Sequence, residues 1–551
     1  MDKNKDFTIG NYLLMRLEQL GLKHIFGVPG DFVLKFFDQI LESSIKLVTT
    51  CNELNGGYAA DGYARINGIG ALAVTYGAGA LSATNAIAGA FAERVPVVVI
   101  SGSPDIKYHK EGTLWHHTLG DYTIPAKIYE KITITSEFIG DPEKAPEQID
   151  RALKACLLHR RPVYIELPMD IAVSKCSPPE NLLKIKGKPS DNTSLEQAVK
   201  ETLEMLSGSK TPIILAGMEI DRFSLKKEVT DFIEKSGYPF SSMLLGKTVL
   251  PEDHPQFIGL YQGKFTPDYI RERVEKADTI LCIGALMTDA NLGGFTSNFK
   301  EDVLILANRY SVRIRDKIYE NVSLKDYLDK LVSNISKGNA KEYDIKPPGF
   351  SYYDPGIRKF SPVKGKKLSL SSLYKRMAHF IGKDDIILAE TGTSLFSTPL
   401  MIMPGKTKFI GQSFYGSIGY TLPATLGSCM AAPDRRVILF IGDGSFQLTC
   451  QALSTIIREK KTPIIILINN QGYTMERLIH DGSYNDIQPW KNHLLPEIFN
   501  GLRGMEIFTE DELEKALKIA EKSNKATIIE VHLGKWECST SLNSMLHLEK
   551  Y

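Results

Sequence analysis

The 551-residue sequence has few cysteines and no excess of charge of either sign. Its seven cysteines are scattered and form no Cys-x-x-Cys pair, which excludes a disulfide framework and favours a reduced, cytoplasmic protein. Lysine and arginine together number 66, and aspartate and glutamate number 65. This balance gives no electrostatic reason to expect binding to nucleic acid or to an acidic membrane surface.

The sequence also lacks a secretory signal and a continuous apolar span. From Met1 onward there is no basic segment followed by an apolar core, so no signal peptide is expected. The stretch from Gly70 to Ala92 is uncharged, but Gly, Ser, Thr and Asn interrupt it. That composition favours a buried strand, turn and helix over a membrane-spanning helix.

The remaining pattern predicts several α/β domains, because 551 residues are too many for one compact core. Three blocks alternate short β-rich runs with helical patterns, which is typical of mainly parallel sheets flanked by helices. Two polar stretches, Ser177–Thr193 and Lys337–Lys366, read as linkers. We therefore predict domains at residues 1–180, 190–340 and 360–551. The second block has no GxGxxG after a strand, which argues against a classical dinucleotide site.

Individual elements follow from the same periodicities. The first block has a predicted helix at Ile9–Leu20. The predicted strands are Ile45–Thr50, Ala71–Thr75, Val95–Ile100, Val163–Leu167, Pro212–Ala216, Thr279–Ile283, Ile386–Ala389, Val437–Ile441, Pro463–Asn469 and Thr527–Val531. Small-residue segments beginning at Gly77 and at Gly416 resemble each other, and each precedes a β-rich run. The first and third blocks are therefore expected to share a fold, although a small-residue helix packed on a sheet explains the similarity nearly as well.

Two polar segments in the third block each follow an apolar strand. The first is Gly442-Asp443-Gly444-Ser445, and the second is Asn469-Asn470-Gln471-Gly472. Ligands bind outside the carboxyl ends of strands in open α/β sheets, and free N–H groups at a helix start attract phosphate. Carboxylate and carbonyl oxygens suit Mg²⁺, so Asp443, Asn470 and Gly472 are predicted metal ligands beside a diphosphate.

The second segment continues as NNQGYTMERLIH (Asn469–His480), which resembles the thiamin-diphosphate-dependent pyruvate and indolepyruvate decarboxylases. Further motifs occur in the family order: FGVPGDF from Phe26, CNELNGGYAADGYAR from Cys51, HHTLGD from His116, ETGTS from Glu390 and GSIG from Gly416. The resemblance covers the whole chain. It implies the thiamin-diphosphate-enzyme fold, with a pyrimidine-binding, a middle Rossmann-like and a diphosphate/Mg²⁺-binding domain in that order.

The resemblance also implies roles for residues that look unremarkable by themselves. Glu53 matches the glutamate that exchanges a proton with the cofactor's pyrimidine ring. The other cofactor contacts that the resemblance implies are Thr75, Thr391, Gly416, Ile418, Gly444 and Ser445. In this family the active site lies between the first block of one subunit and the third block of another. Self-association into a homodimer or homotetramer is therefore expected.

Four further polar residues match the acid–base cluster of the decarboxylases: Asp31, His116, His117 and Glu476. Decarboxylation of a 2-oxo acid followed by aldehyde release moves protons, so groups that titrate around neutrality are required. Without the surrounding motifs, Asp31 is a good turn residue and Glu476 a solvated helix face. Their joint occurrence favours catalysis.

Substrate preference depends on the residues around the predicted pocket. Ala290 stands where pyruvate-specific relatives carry a bulky aromatic residue, and the other predicted lining residues are apolar: Leu395, Phe396, Met475 and Ile479. This favours a branched-chain or aromatic 2-oxo acid such as 2-oxoisocaproate, phenylpyruvate or indolepyruvate. Pyruvate, an acetolactate-synthase-like carboligase reaction and a non-catalytic binding role remain alternatives.

Overall fold

The computed structural model describes residues 6–110, 112–338, 343, 360–539 and 542–543. Three sheets follow one another along the chain, each flanked by helices, which confirms the predicted α/β class. The predicted linker Ser177–Thr193 contains no helix or strand until Asn192. Most of the second predicted linker, residues 339–342 and 344–359, lies outside the described residues.

The first sheet has six strands in the order β2-β1-β3-β4-β6-β5, and all its neighbouring strands are parallel. Its strands are β1 (His24–Gly27), β2 (Lys46–Thr49), β3 (Gly70–Val74), β4 (Val97–Ser103), β5 (Ser136–Phe138) and β6 (Val163–Pro168). Its helices are α1 (Ile9–Gln19), α2 (Leu34–Leu41), α3 (Glu53–Asn67), α4 (Ala78–Ser82), α5 (Thr84–Ala92), α6 (Ile124–Ile132), α7 (Ala145–His159) and α8 (Met169–Ala172). The uncharged stretch from Gly70 to Ala92 thus forms a strand, a turn and helices, as predicted.

The second sheet has seven strands in the order β13-β12-β11-β10-β7-β8-β9, of which β12 pairs antiparallel with both of its neighbours. Its strands are β7 (Pro212–Ala216), β8 (Phe240–Met243), β9 (Phe257–Tyr261), β10 (Thr279–Ile283), β11 (Leu304–Asn308), β12 (Ser311–Ile314) and β13 (Lys317–Glu320). Its helices are α9 (Asn192–Ser207), α10 (Glu219–Arg222), α11 (Lys226–Ser236), α12 (Asp268–Glu275), α13 (Asp289–Leu292) and α14 (Leu324–Asn334).

The third sheet has six parallel strands in the order β15-β14-β16-β17-β19-β18. Its strands are β14 (Ile386–Ala389), β15 (Lys408–Ile410), β16 (Val437–Gly442), β17 (Ile464–Asn469), β18 (Leu502–Ile507) and β19 (Ala526–His532). Its helices are α15 (Leu370–Phe380), α16 (Thr393–Ser397), α17 (Thr421–Ala431), α18 (Asp443–Thr449), α19 (Ala452–Arg458), α20 (Thr474–Ile479) and α21 (Glu510–Glu521).

Numbered within their own sheets, the first and third sheets have the same strand order, 2-1-3-4-6-5. This agreement confirms the shared fold expected from the small-residue segments at Gly77 and Gly416. The central strands are buried and mainly apolar, such as the fully buried Pro212–Ala216, because helices cover both faces of each mainly parallel sheet.

Helices α3 and α17 join the first and third sheets within one chain. A side chain on Gly62 of α3 would overlap the backbone of Ala424, and one on Gly427 of α17 would overlap the backbone carbonyl of Ala59. The two helix backbones therefore touch, which only glycine at the crossing allows. Their contact continues the hydrophobic core of the first sheet into that of the third.

Candidate active site

A cavity of about 220 Å³ opens at the carboxyl edge of the third sheet. Every residue that lines it comes from the third region, between positions 391 and 476. The lining includes eight of the predicted site residues: Thr391, Ile418, Gly444, Ser445, Asn470, Gly472, Met475 and Glu476. The two polar segments that the sequence singles out therefore meet in one concave site.

Asp443 lies directly behind this cavity, where strand β16 ends and helix α18 begins. It is only 3% exposed, and its carboxylate accepts hydrogen bonds from the backbone N–H groups of Gly444 (2.9 Å), Gln471 (2.8 Å) and Gly472 (3.2 Å). Burial raises the pKa of Asp443 to about 6, although the backbone hydrogen bonds oppose this. The carboxylate thus ties the loop after β17 to the start of α18.

The Asn470 amide brings further oxygen atoms to the same point. One of its terminal atoms lies 3.2 Å from Asp443 Oδ1 and 3.0 Å from the Gly472 carbonyl oxygen, and the other lies 2.7 Å from Thr474 Oγ1. In one orientation the amide nitrogen donates to both oxygens. In the other orientation three oxygens converge, an arrangement that a cation stabilises. A hard-oxygen set of this kind fits Mg²⁺.

The backbone of this loop requires glycine at one position. Gly472 has a φ of 128°, and a side chain there would overlap the carbonyl of Asn485. The preceding Gln471 also has a positive φ, 61°. These two residues turn the chain so that the Gly472 carbonyl faces the Asn470 amide, which explains why the NNQG segment needs its last residue.

Arg477 is a functional residue that sequence reasoning missed. Its guanidinium is buried and donates to the carbonyl oxygens of Asn470 (3.1 Å), Gln471 and Asn485 (3.3 Å), and it pairs with Asp486 at 2.8 Å. One planar cation therefore fixes several loop carbonyls at once. In the sequence, the indication of this role is that Arg477 lies within Asn469–His480, the segment that resembles the decarboxylases.

Glu390, also without an assigned role in the sequence, is fully buried at the end of β14. Its carboxylate accepts hydrogen bonds from the backbone N–H of Thr391 (2.9 Å) and from the N–H and hydroxyl of Thr421 (3.0 and 2.6 Å). Burial raises the pKa of Glu390 to about 7. The group joins the Thr391 loop to the start of helix α17.

A second cluster of predicted residues lies at the carboxyl edge of the first sheet. His116 Nε2 contacts Asp31 Oδ2 at 2.5 Å, and Thr75 Oγ1 donates to Asp31 Oδ1 at 3.4 Å. The rings of His116 and His117 lie 4.7 Å apart, and Phe32 stacks on His116 at 4.9 Å. Asp31, His116 and His117 are all exposed, in contrast to the buried Asp443.

The loop that carries the two histidines is anchored beneath by buried polar groups. Ser103 at the end of β4 donates to Glu166 at 2.8 Å and lies 3.3 Å from His109 Nε2. Burial raises the pKa of Glu166 to about 7. Above this anchor His117 has a φ of 70°, a left-handed conformation that is uncommon for histidine and that clusters at functional sites.

Glu53 belongs to the edge of the first sheet as well. It is the first residue of helix α3, whose N-cap Asn52 accepts a hydrogen bond from the N–H of Asn55 at 2.7 Å. A methyl group on Gly79 would lie 3.3 Å from Glu53 Oε1 and 3.0 Å from Thr75 Cγ2. Glu53 and Thr75 therefore border the same small space, and the absence of a side chain on Gly79 keeps it open.

Two predicted cofactor contacts lie on the turn between β15 and α17. Gly416 has a φ of 70°, and Ile418 is 36% exposed at the mouth of the cavity. The hydroxyl of the intervening Ser417 lies 2.6 Å from that of Tyr58, on helix α3. The turn is thus held against the first region of the same chain.

The predicted substrate-pocket residues do not all lie at the cavity. Met475 lines the cavity, whereas Leu395 is buried in the core of the third sheet and Ile479 is 45% exposed on helix α20. Phe396 and Ala290 are partly buried, and neither lines the cavity. The Ala290 carbonyl accepts a hydrogen bond from Gln262 at 2.9 Å, within the second region.

Comparison with known proteins identifies the class of enzyme. Three family models match: "Thiamine pyrophosphate enzyme, N-terminal TPP binding domain" over residues 7–123, the central domain over 199–333, and the C-terminal TPP binding domain over 391–531. The first match spans the edge that holds Glu53, and the last spans the cavity. Thiamin diphosphate is therefore the cofactor of this class, and the oxygen cluster at Asp443 is suited to its usual partner, Mg²⁺.

Curated relatives narrow the class. The chain is 38% identical over 512 residues to pyruvate decarboxylase of Candida albicans (90% of this chain, 89% of the relative). It is 37% identical over 555 residues to that of Candida glabrata (98% and 97%) and 36% identical over 505 residues to isozyme 1 of Saccharomyces cerevisiae (89% and 88%). The chain belongs to the thiamin-diphosphate-dependent 2-oxo acid decarboxylase family.

The structure also describes the cysteines and the apolar helices. All seven cysteines are free thiols. Within the described residues, no helix combines the length and the apolar character that crossing a bilayer requires.

Proposed function

We propose that the enzyme decarboxylates pyruvate to acetaldehyde and CO₂, using thiamin diphosphate and Mg²⁺. The observation that carries the proposal is the convergence of the Asp443, Asn470 and Gly472 polar atoms beside Glu476, in a chain whose relatives are named pyruvate decarboxylase. The branched-chain or aromatic preference expected from Ala290 has less support, because the relatives are named pyruvate decarboxylase and Ala290 does not line the cavity of the single chain.

In this proposal the carboxyl edge of the third sheet, called the third edge below, holds the cofactor. Asp443, Asn470 and Gly472 would bind Mg²⁺, while the Ser445 backbone N–H would face the diphosphate and Gly444, which has no side chain, would let it approach the start of helix α18. Thr391, Gly416 and Ile418 border the rest of the cofactor at the cavity mouth. When bound, thiamin diphosphate supplies the nucleophilic carbon and the electron sink that decarboxylation of a 2-oxo acid needs.

The carboxyl edge of the first sheet, called the first edge below, supplies the groups that donate and accept protons. Glu53 would hold the proton that a bound cofactor's pyrimidine nitrogen exchanges, and Thr75 lies beside it at the open space above Gly79. Asp31 and His117 serve protonation and product release, and His116, hydrogen-bonded to Asp31, supports them. From the third edge, Glu476 faces the substrate carboxylate.

We further propose that the first edge of one chain meets the third edge of a second chain, so that the smallest active unit is a homodimer. Both edges expose apolar side chains: Ile418 (36%), Phe414 (43%) and Leu448 (47%) in the third region, and Leu114 (75%) and Leu119 (61%) beside the histidines. Exposed apolar surface around a polar site is typical of an interface. A cavity lined by the third region alone also leaves Glu53 without a cofactor to face.

The test is an aldehyde-release assay with thiamin diphosphate and Mg²⁺ over pyruvate, 2-oxoisocaproate and phenylpyruvate. We expect kcat/KM to be highest for pyruvate and activity to disappear when either cofactor component is withheld. A higher kcat/KM for phenylpyruvate would overturn the substrate assignment. Acetolactate as the main product from pyruvate would instead indicate a carboligase.

A further inference from the structure

A group of histidine and glutamate side chains lies at the β18–β19 edge of the third sheet. His493 belongs to the short helix Asn492–Glu497, Glu506 lies on β18 and Glu530 on β19. One nitrogen or oxygen atom from each of the three lies within 4.8 Å of the others. None of the three lines the cofactor cavity.

The register of the sheet places two carboxylates side by side. Glu506 and Glu530 are direct partners in the parallel pairing of β18 with β19. Like charges directly opposite each other destabilise a sheet, and Glu530 is only 1% exposed on its side chain, which strengthens the repulsion. Among the residues that the structure describes, neither carboxylate has a lysine or arginine within 4.0 Å.

One imidazole stands between these carboxylates. His493 Nδ1 lies 2.7 Å from Glu530 Oε2 and 3.6 Å from Glu506 Oε1. A single N–H at Nδ1 can satisfy one carboxylate and leaves the other without a partner on that side. A dication in contact with all three groups offsets both negative charges.

Glu530 is held in position by hydrogen bonds from three neighbouring groups. Its Oε1 accepts hydrogen bonds from the side chains of Asn469 (2.8 Å) and Asn492 (2.9 Å), and its Oε2 accepts one from the backbone N–H of His493 (2.9 Å). These hydrogen bonds fix both carboxylate oxygens of Glu530 beside Glu506 and His493, so that little reorganisation is needed to bind a cation.

Glu506 is oriented in a similar way. His532 Nε2 lies 2.9 Å from Glu506 Oε1, and the His532 ring stacks on Phe508 with centroids 4.4 Å apart. In metal sites the ligating carboxylates are themselves held by such outer hydrogen bonds. Each of the two carboxylates here has its own supporting partners.

We propose that His493, Glu506 and Glu530 bind a second divalent cation of the zinc class, with water in the fourth position. Zinc accepts imidazole and carboxylate ligands at about 2.0–2.2 Å, which places tetrahedral ligand atoms about 3.4 Å apart. The two distances from His493 Nδ1, 2.7 and 3.6 Å, lie on either side of that value. The imidazole separates this site chemically from the all-oxygen site at Asp443, which suits Mg²⁺.

The bound cation joins three pieces of the third region. It connects the Asn492–Glu497 helix to the edge strand β18 and to β19, and access is open because His493 is 18% and Glu506 is 36% exposed on the side chain. Binding to the folded chain alone stabilises that chain by mass action. The site is therefore structural, and its occupancy does not depend on turnover.

The test measures Zn²⁺ bound per chain after chelation and dialysis against Zn²⁺, using the full-length protein. Asp443→Asn removes a carboxylate of the cofactor site, and the Zn²⁺ that is lost when His493→Gln is added reports the second site. We expect the double variant to bind about one Zn²⁺ per chain fewer than Asp443→Asn, because any Zn²⁺ held by Asp31, His116 and His117 is common to both. Zn²⁺ should also raise the Tm of the single variant and not of the double variant.

Two further variants keep the test decisive. Glu506→Gln changes a residue of the edge strand β18 whose side chain is 36% exposed, and it should also remove about one Zn²⁺ per chain from Asp443→Asn. This variant decides the matter if His493→Gln misfolds by circular dichroism. His254→Gln is the matched control, because His254 lies 3.9 Å from Glu234 in another histidine–glutamate pair. The proposal is overturned if Asp443→Asn binds no Zn²⁺, or if Asp443→Asn combined with Glu506→Gln binds as much as Asp443→Asn alone. None of these readouts uses enzyme activity, so they stand apart from the proposed reaction.

Discussion

The first and third sheets have one strand order and two different carboxyl edges. In the third, the polar residues are buried and held by backbone groups, as Asp443 is by three N–H donors. In the first, Asp31, His116 and His117 are exposed and contact one another as well as Thr75 and Phe32. The same scaffold thus carries a preformed binding site on one edge and an open set of acids and bases on the other.

The comparison indicates a division of labour. A buried, hydrogen-bonded edge is suited to holding an anion and a metal with little reorganisation. An exposed edge of carboxylates and imidazoles completes its surroundings only when something covers it. Damage to the first edge should therefore reduce turnover, and damage to the third edge should reduce cofactor affinity.

The largest effect is expected for Glu53→Gln. This change removes the carboxyl group that we propose shares a proton with the cofactor, so kcat should fall by about 10³-fold or more. Thiamin diphosphate affinity, measured by calorimetry, should stay close to that of the wild type. Glu130→Gln, an exposed helix position in the same region, is the control. Wild-type kcat in Glu53→Gln would remove the first edge from the chemistry.

Asp443→Asn should instead lower cofactor affinity. Loss of the charged ligand should weaken binding of thiamin diphosphate with Mg²⁺ by about 100-fold or more, since even outer partners of metal ligands are worth 10- to 100-fold. A calorimetric titration at fixed Mg²⁺ measures the change. Unaltered affinity together with lost turnover would break the proposed division between the edges.

Arg477→Lys tests how far the third edge depends on its loop. Lysine keeps the positive charge but cannot reach several carbonyls at once, so we expect cofactor affinity to drop by about 10-fold. Comparing the loss of cofactor affinity in Asp443→Asn with that in Arg477→Lys distinguishes the contribution of the metal ligand from that of the loop that positions it. An affinity identical to that of the wild type would mean that the loop holds its shape without the guanidinium.

Gly62→Leu tests the connection between the two sheets. The added side chain has no space between α3 and Ala424, so unfolding free energy should fall by about 1–3 kcal/mol. Chemical denaturation measures this change, with Gly208→Ala as a control, because a methyl group there meets only ordinary contacts at 3.5 Å. Equal stability of the two variants would show that the helices can separate without cost.

Apolar β-rich runs made the central strands predictable. The predicted Pro212–Ala216, Thr279–Ile283 and Ile386–Ala389 coincide with β7, β10 and β14. Among the strands that were not predicted, β5, β15 and β18 are edge strands that mix polar with apolar residues, whereas β1, β8 and β11 lie inside their sheets. Their positions depend on pairing with neighbours distant in the sequence.

The candidate site was predictable to a similar extent. Residue types and order indicated the oxygen cluster at Asp443 and Asn470. Binding of Mg²⁺ beside a diphosphate requires carboxylate and amide oxygens, and the sequence has them directly after two strands. The roles of Arg477 and Glu390 depend on which carbonyl or N–H each one reaches, and no spacing encodes that. Leu395 shows the same limit, since an apolar residue next to a pocket and one facing the core look alike in sequence.

The glycine contact between α3 and α17 has a consequence for an assembled pair of chains. Each chain would contribute its first edge to one catalytic centre and its third edge to the other. With no side chains at the crossing of Gly62 and Gly427, the helix pair is a spacer of fixed length between the two centres. A displacement at one centre would then be transmitted through this spacer, and the two centres would not move independently.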